Sequence, residues 1–133
     1  MSVTSDLLLV EDDLLLARAL SRSLAMRGIR PRHVARCATA AALRGPFAIG
    51  VFDVELPDGD GIDLARLLSF RGVVDRVVFY TACSEPRRLA RARDLGAVFV
   101  KSGNLAALMD GLAWRPGAEI GARERAQRSA PRI

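Results

Sequence analysis

The sequence lacks the features that would place it in a membrane or outside the cell. No apolar run in its 133 residues approaches the ~20 that a membrane-spanning helix needs. The apolar run at residues 14–17 follows three acids, whereas a secretory signal has basic residues before its apolar segment. The two cysteines, Cys37 and Cys83, match no metal-site spacing and are expected to be reduced. We therefore expect a cytoplasmic protein with no membrane segment.

Lysine is nearly absent. Of the 20 basic residues, 19 are arginine, and the one lysine is Lys101. In one interpretation, the single lysine is a matter of chance. In another, Lys101 occupies a site that needs a compact ammonium group and has no room for a planar guanidinium.

The positive charge is concentrated at the end of the chain. The net charge is +5, and residues 114–133 hold five arginines and two acids. Scattered arginines without aromatic residues between them do not favour nucleic-acid binding. Residues 114–133 also lack a helix-turn-helix pattern and zinc ligands, and they are too few to form an output domain with its own core. We expect one domain over residues 1–113 and a short, disordered basic tail over residues 114–133, although the chain could be a fragment of a longer protein.

Four short apolar runs predict strands that are buried on both faces, as in a parallel sheet. They are residues 7–10, 49–52, 77–80 and 97–100. A weaker fifth strand is predicted at residues 30–35, where Pro31 favours the edge of a sheet.

Helical patterns separate these strands, at residues 13–27, 39–44, 62–70, 84–95 and 104–114. The alternation of strands and helices predicts an α/β fold with right-handed crossovers. Five such units fit a flavodoxin-like doubly wound sheet with strand order 2-1-3-4-5 and helices on both faces. This order places the strand with Pro31 at an edge.

Polar residues follow four of the five predicted strands. Ligands bind at the carboxyl ends of the strands in such a sheet, so these residues are expected to meet at one rim. They are Glu11, Asp12 and Asp13 after the first strand, Asp53 after the third, Thr81 after the fourth and Lys101 after the fifth. Each has a structural explanation alone: Asp13 as a helix N-cap, for example, or Asp53 as a turn residue. Their coincidence favours a functional site.

The chemistry of these groups suits a phosphoryl group. Clustered carboxylates raise one another's pKa values, and a hard cation such as Mg²⁺ relieves the repulsion. A hydroxyl from Thr81 and an ammonium from Lys101 would then face the cation and bind phosphoryl oxygens. Asp53 would be placed to act as a nucleophile and become an aspartyl phosphate.

With these residues the chain resembles the receiver domain of two-component response regulators, of the single-domain type. The likeness covers roughly residues 5–113. The spacing also fits, with 41 residues from Asp12 to Asp53, 28 from Asp53 to Thr81 and 20 from Thr81 to Lys101. The matching stretches are LLLVEDD (7–13), DVELPDGDG (53–61), YTA (80–82) and VFVK (98–101).

The resemblance implies a role for each residue. Asp53 would take a phosphoryl group from a histidine kinase or a phosphotransfer protein, and its phosphorylation would switch binding to a downstream protein. Thr81 would hydrogen-bond the phosphoryl group, and Lys101 would pair with one of its oxygens. The Mg²⁺ site would comprise Asp12 and Asp53, Glu11 mainly through a water, and the backbone carbonyl of Glu55.

The sequence departs from the family in three places. Ser102 stands where the family usually has proline, so a cis peptide after Lys101 is left open. Val98 stands where an aromatic switch residue is common, and Phe99 beside it should point to the opposite face of the strand. The loop over residues 96–101 is also about two residues shorter than usual. These departures leave the relay to the usual output face open.

Two alternatives remain beside a phosphoacceptor that is not itself an enzyme. One is a receiver-like interaction module that acts without phosphorylation. The other is a haloacid-dehalogenase-like phosphatase, although its later acid pair is missing, because only Asp110 follows Lys101 closely. A partner surface is predicted on helix 84–95, where Arg87 and Arg91 share a face. A homodimer is left open.

Overall fold

The computed structural model describes residues 6–101 and 105–112. Strands and helices alternate along these residues, with one short hairpin between the third strand and the third helix. The strands are β1 (Leu7–Val10), β2 (Pro31–Val34), β3 (Phe47–Phe52), β4 (Glu55–Leu56), β5 (Gly59–Asp60), β6 (Val74–Thr81) and β7 (Ala97–Val100). The helices are α1 (Leu14–Met26), α2 (Cys37–Ala41), α3 (Gly61–Phe70), α4 (Pro86–Leu95) and α5 (Leu105–Leu112). None of these helices is long and apolar enough to cross a membrane.

The main sheet is parallel and has the order β2-β1-β3-β6-β7. Counted among the strands of this sheet alone, the order is 2-1-3-4-5, so the predicted topology is confirmed. Strand β2 begins at Pro31 and lies at an edge, as its proline requires.

Each face of the sheet covers its own core because successive strand residues point to opposite sides. Leu8 and Val10 pack with α2, α3 and α4, whereas Leu7 and Leu9 pack with α1 and α5. All four residues of β1 are buried. Burial on both faces explains why β1 and the apolar runs in β3 and β6 are unbroken rather than alternating. The prediction that residues 97–100 are also buried on both faces is wrong, because β7 lies at the edge of the sheet and leaves Ala97 and Val100 exposed.

Helix α1 begins and ends as its sequence predicts. Asp13 is the N-cap, and its Oδ1 accepts hydrogen bonds from the backbone N–H groups of Leu15 and Leu16 at 3.1 and 3.2 Å. After the helix, Gly28 has a φ of 78°, a conformation that favours glycine.

Two helices begin two residues away from their predicted start. Helix α2 spans Cys37–Ala41 instead of residues 39–44, because Asp58 accepts hydrogen bonds from the backbone N–H groups of Cys37 and Ala38. The hydrogen bond from Ala38, and after it the one from Cys37, is the main cause that lowers the pKa of the Asp58 carboxyl below its usual value. Helix α4 begins at Pro86, two residues later than predicted, because proline suits the first turn of a helix.

The remaining predictions vary in outcome. The turn predicted at residues 57–61 is part of the antiparallel pair β4–β5. Both cysteines are free thiols. Burial, and to a smaller extent the nearby Asp58 carboxylate, raises the pKa of the Cys37 thiol to about 11. Asn104, Ser102 and the tail over residues 114–133 lie outside the described residues, so the predictions made for them stay predictions.

Candidate functional site

Three carboxylates meet at the carboxyl ends of the central strands. Glu11 and Asp12 follow β1, and Asp53 follows the neighbouring strand β3. One carboxylate oxygen from each residue lies within 4.8 Å of those of the other two. Glu11 and Asp53 are buried, whereas Asp12 is exposed. The adjacency of the first and third strands therefore brings together acids that are 41 residues apart in sequence.

Lys101 links two of these carboxylates. Its Nζ lies 2.7 Å from Asp53 Oδ2 and 2.5 Å from Glu11 Oε1. The lysine directly follows β7 and is 14% exposed, so its ammonium is largely shielded from water. The one lysine of the chain therefore lies among the acids, as the strand-end pattern predicts.

Burial and charge act in opposite directions on the pKa values of this cluster. Burial alone would lower the pKa of Lys101, but its hydrogen bonds and charge interactions with Asp53 and Glu11 outweigh that effect and raise it. Burial raises the pKa of Glu11, and the contact with Lys101 opposes this shift without cancelling it. The ammonium of Lys101 thus stays charged at neutral pH.

Thr81 and Glu55 flank the cluster through backbone and side-chain contacts. Thr81 ends β6 and is fully buried, and its Oγ1 accepts a hydrogen bond from the Cys83 N–H at 3.0 Å. The backbone N–H of Lys101 donates to the Thr81 carbonyl at 2.9 Å, which places the two residues side by side. The Glu55 N–H donates to Asp53 Oδ1 at 3.3 Å. The backbone of Glu55 therefore lies beside the Asp53 carboxylate.

Gly61 has a role at the site that its place in a turn signal does not reveal. A Cβ on Gly61 would lie 1.7 Å from the backbone oxygen of Asp53. The Gly61 N–H also donates to the Val54 carbonyl at 2.8 Å. The start of α3 therefore lies directly against the backbone of Asp53 and Val54. In the sequence, the position of Gly61 in a Gly-Asp-Gly turn is the only signal of this role.

The predicted partner surface on residues 84–95 is partly occupied by contacts within the domain. Arg88 pairs with Asp60 at 3.3 Å, and Arg91 pairs with Asp63 at 2.9 Å. Arg87 is exposed. Arg91 is also exposed, although it pairs with Asp63 of α3. The prediction of a partner surface on this helix stays a prediction.

The donor set fits a hard metal ion. Mg²⁺ and Ca²⁺ take oxygen ligands, and Mg²⁺ is typically held by a few carboxylates and waters. Glu11, Asp12 and Asp53 supply three carboxylates, against the single positive charge of Lys101. Glu11, Asp12 and Asp53 could thus hold a metal ion, and their arrangement fits a phosphoacceptor site.

Comparison with known proteins supports this interpretation. No family model matches the chain. The swarming motility regulation protein RssB of Serratia marcescens is 35% identical over a 96-residue alignment that covers 69% of this chain and 43% of that protein. The chain thus spans less than half the length of this curated relative.

Solved receiver domains have the same fold. The signal receiver domain of a putative Luxo repressor protein from Vibrio parahaemolyticus has a TM-score of 0.76 at 21% identity and covers 95% of this chain and 96% of its own. A CheY-like receiver domain protein from Methanospirillum hungatei JF-1 has a TM-score of 0.72 at 18% identity, and the match covers 94% of this chain and 99% of that protein. TrrA of Thermotoga maritima, in complex with Mg²⁺-BeF, has a TM-score of 0.72 at 20% identity, covering 80% and 95%. The chain has the fold of a response-regulator receiver domain, and the predicted resemblance is confirmed.

Proposed function

We propose that this receiver-fold chain accepts a phosphoryl group on Asp53 and that the resulting aspartyl phosphate changes its binding to a partner protein. The contact of Lys101 with both Asp53 and Glu11 carries the proposal. It places the one ammonium of a lysine-poor chain at the carboxylate that would be phosphorylated.

The phosphoryl donor is the phosphohistidine of a histidine kinase or of a phosphotransfer protein. A carboxylate oxygen of Asp53 attacks the phosphorus, the P–N bond breaks and the P–O bond forms. The histidine of the donor leaves as a neutral imidazole after taking up a proton. When bound, Mg²⁺ neutralises charge on the phosphoryl oxygens, and Glu11, Asp12, Asp53 and the Glu55 carbonyl would hold it.

Lys101 and Thr81 respond to the new group. The ammonium of Lys101 already contacts Asp53 and can pair with a phosphoryl oxygen, because both groups lie at the carboxyl-end edge of the sheet. The Thr81 oxygen accepts from Cys83, and its own O–H is a donor that suits a phosphoryl oxygen. A movement of Thr81 towards that oxygen would carry the segment at Cys83 with it, and the segment leads into α4.

A module that binds its partner without phosphorylation is the second candidate. In the structure, Lys101 already balances part of the charge of Asp53 and Glu11, so the site has a stable arrangement without a phosphoryl group. Phe99 also packs on the α1–α5 face of the sheet, opposite to Val98, as its neighbouring position predicts. The aromatic relay of the family is therefore not rebuilt by Phe99.

Phosphorylation in solution separates the two candidates. The protein is incubated with acetyl phosphate and Mg²⁺ and its intact mass is measured. We expect wild type to gain one phosphoryl group, Asp53→Asn to gain none, and the control Asp58→Asn, an exposed acid a few residues away, to behave as wild type. An equal gain in Asp53→Asn would exclude Asp53 as acceptor. Absence of any gain in wild type would favour the second candidate, and steady hydrolysis of a small phosphate ester would favour a phosphatase.

The partner surface and location are part of the same proposal. We place the downstream partner on α4, where Arg87 is exposed and basic. The protein would act in the cytoplasm, and self-association into a homodimer is tested by measuring its mass in solution with and without phosphorylation.

A further inference from the structure

His33 is the one histidine of the chain, and it contacts the loop that carries the acidic pair. It lies half-buried on the edge strand β2, paired in register with Leu9 of β1. Its Nε2 lies 2.7 Å from the backbone oxygen of Glu11. A carbonyl oxygen only accepts hydrogen bonds, so Nε2 carries a hydrogen and donates it.

This hydrogen bond completes the attachment of Glu11 to the edge strand. The Glu11 N–H donates to the Val34 carbonyl at 3.1 Å, which is the last backbone bond between β1 and β2. Strand β2 ends at Val34, and the chain then turns into α2. The backbone of β2 therefore accepts a hydrogen bond from the N–H of Glu11. The His33 side chain of the same strand donates one to the Glu11 carbonyl.

The bonded carbonyl belongs to the peptide that joins Glu11 to Asp12. A peptide unit is planar, so fixing its oxygen fixes the plane from which the Asp12 backbone continues. Asp12 is exposed and lies outside the strand, where packing around it is slight. Glu11, by contrast, is buried and held by Lys101 and by the Asp13 N–H. The orientation of the Asp12 side chain thus depends on this peptide more strongly than the orientation of the Glu11 side chain does.

We propose that His33 is a positioning residue for metal binding: its hydrogen bond to the Glu11 carbonyl holds the Glu11–Asp12 peptide so that both carboxylates face Asp53. This inference rests on the proposed function, since it assigns His33 to the Mg²⁺ site of the phosphoacceptor. Groups that orient metal ligands commonly change metal affinity by about 10- to 100-fold when removed.

The test compares Mg²⁺ affinity with folding stability in four proteins. Binding is measured by calorimetric titration of Mg²⁺ alone, and stability by urea unfolding without metal. His33→Leu removes the donor, His33→Gln keeps an amide donor of similar reach, and Arg32→Ala is an exposed control on the same strand. We expect His33→Leu to weaken Mg²⁺ binding by about tenfold, His33→Gln to recover most of it, and Arg32→Ala to leave it unchanged.

Each outcome decides the proposal. Wild-type Mg²⁺ affinity in His33→Leu, whatever its stability, would overturn it and leave His33 a structural residue, while the proposed function would stand. Failure of wild type to bind Mg²⁺ would overturn the proposed function and this inference together. Where His33→Leu does not fold, His33→Asn replaces it, because its amide is one methylene too short to reach the carbonyl. Equal Mg²⁺ affinity in His33→Asn and His33→Gln would then overturn the proposal.

Discussion

Helices α3 and α4 have the same length of ten residues and lie next to each other, but different interactions hold them on the sheet. Helix α3 buries five residues, among them Ile62, Leu64 and Leu68. Among the ten described residues of α4, Ala92 alone is fully buried. Apolar burial therefore fixes α3 and contributes far less to α4.

Ion pairs with α3 make up part of the difference. Arg88 and Arg91 of α4 pair with Asp60 and Asp63, at the start of α3. The side chains of Arg91 and Asp63 are 44% and 63% exposed, and those of Arg88 and Asp60 are 26% exposed. Exposed ion pairs contribute about 0–1 kcal/mol each, whereas full burial of a leucine or isoleucine side chain contributes about 1.5–3 kcal/mol. Displacing α4 thus costs less free energy than displacing α3.

The weakly attached helix α4 is also the one that contacts the backbone next to Asp53, the proposed phosphoacceptor. Arg88 donates to the Val54 carbonyl at 3.3 Å, and Val54 directly follows Asp53. The same guanidinium pairs with Asp60, the N-cap of α3. A change at Asp53 can therefore reach α4 through one side chain, and we expect α4 rather than α3 to move on phosphorylation.

The largest expected effect is the loss of apolar packing under α3. Leu68→Ala should lower the free energy of unfolding by about 3 kcal/mol, because Leu68 is fully buried and its removal leaves a cavity. Phe70→Ala in the same helix is the control, since Phe70 is 89% exposed and should change stability by less than about 0.5 kcal/mol. Urea unfolding measures both. Similar losses in the two variants would contradict the packing described for α3.

Much of this fold could be predicted because its signals are local. The unbroken apolar runs identify four of the five strands of the main sheet, and the predicted 7–10 and 97–100 agree with β1 and β7 residue for residue. The site could be predicted too, since strand order alone brings Asp12, Asp53 and Lys101 to one rim.

What could not be predicted depends on contacts between distant residues. The start of α2 depends on Asp58, which lies about twenty residues further along the chain. The pairing of Arg91 with Asp63 depends on how α3 and α4 lie together, and the helix sequence alone presents Arg91 as a free surface charge. The bond from His33 to Glu11 likewise requires knowledge of the register between β1 and β2.

The second prediction tests how closely α3 approaches Asp53. Gly61→Ala would place a Cβ 1.7 Å from the Asp53 oxygen, so the helix start or the Asp53 backbone must shift. We expect a loss of about 2 kcal/mol in the free energy of unfolding, as for other overpacked sites. The matched control is Gly59→Ala, whose Cβ would meet the Cys37 Sγ at 3.1 Å, a contact that a side chain can relieve. If Gly61→Ala is no less stable than Gly59→Ala, α3 is not held against Asp53.

The third prediction separates the two roles of Asp60. Its carboxylate caps α3 by accepting from the Ile62 and Asp63 N–H groups, and it pairs with Arg88. Asp60→Ala removes both and should cost about 1 kcal/mol or somewhat more. Asp60→Asn keeps an acceptor for the cap and loses only the ion pair, so its loss in urea unfolding should be smaller. Equal losses would mean that the ion pair with α4, rather than the cap, is the main contribution.

The smallest expected effect concerns the outer ion pair between the two helices. A double-mutant cycle of Arg91→Ala and Asp63→Ala should give a coupling energy of about 0.5 kcal/mol, because both side chains are about half exposed. The coupling should shrink as salt is raised from low concentration to about 1 M, where the screening length falls to about 3 Å. The loss caused by Leu68→Ala should not shrink in the same way, because apolar burial is not screened by salt. A coupling well above 1 kcal/mol that resists salt would show that α4 is fixed as firmly as α3, and Arg88 would then connect Asp53 to a helix that does not move.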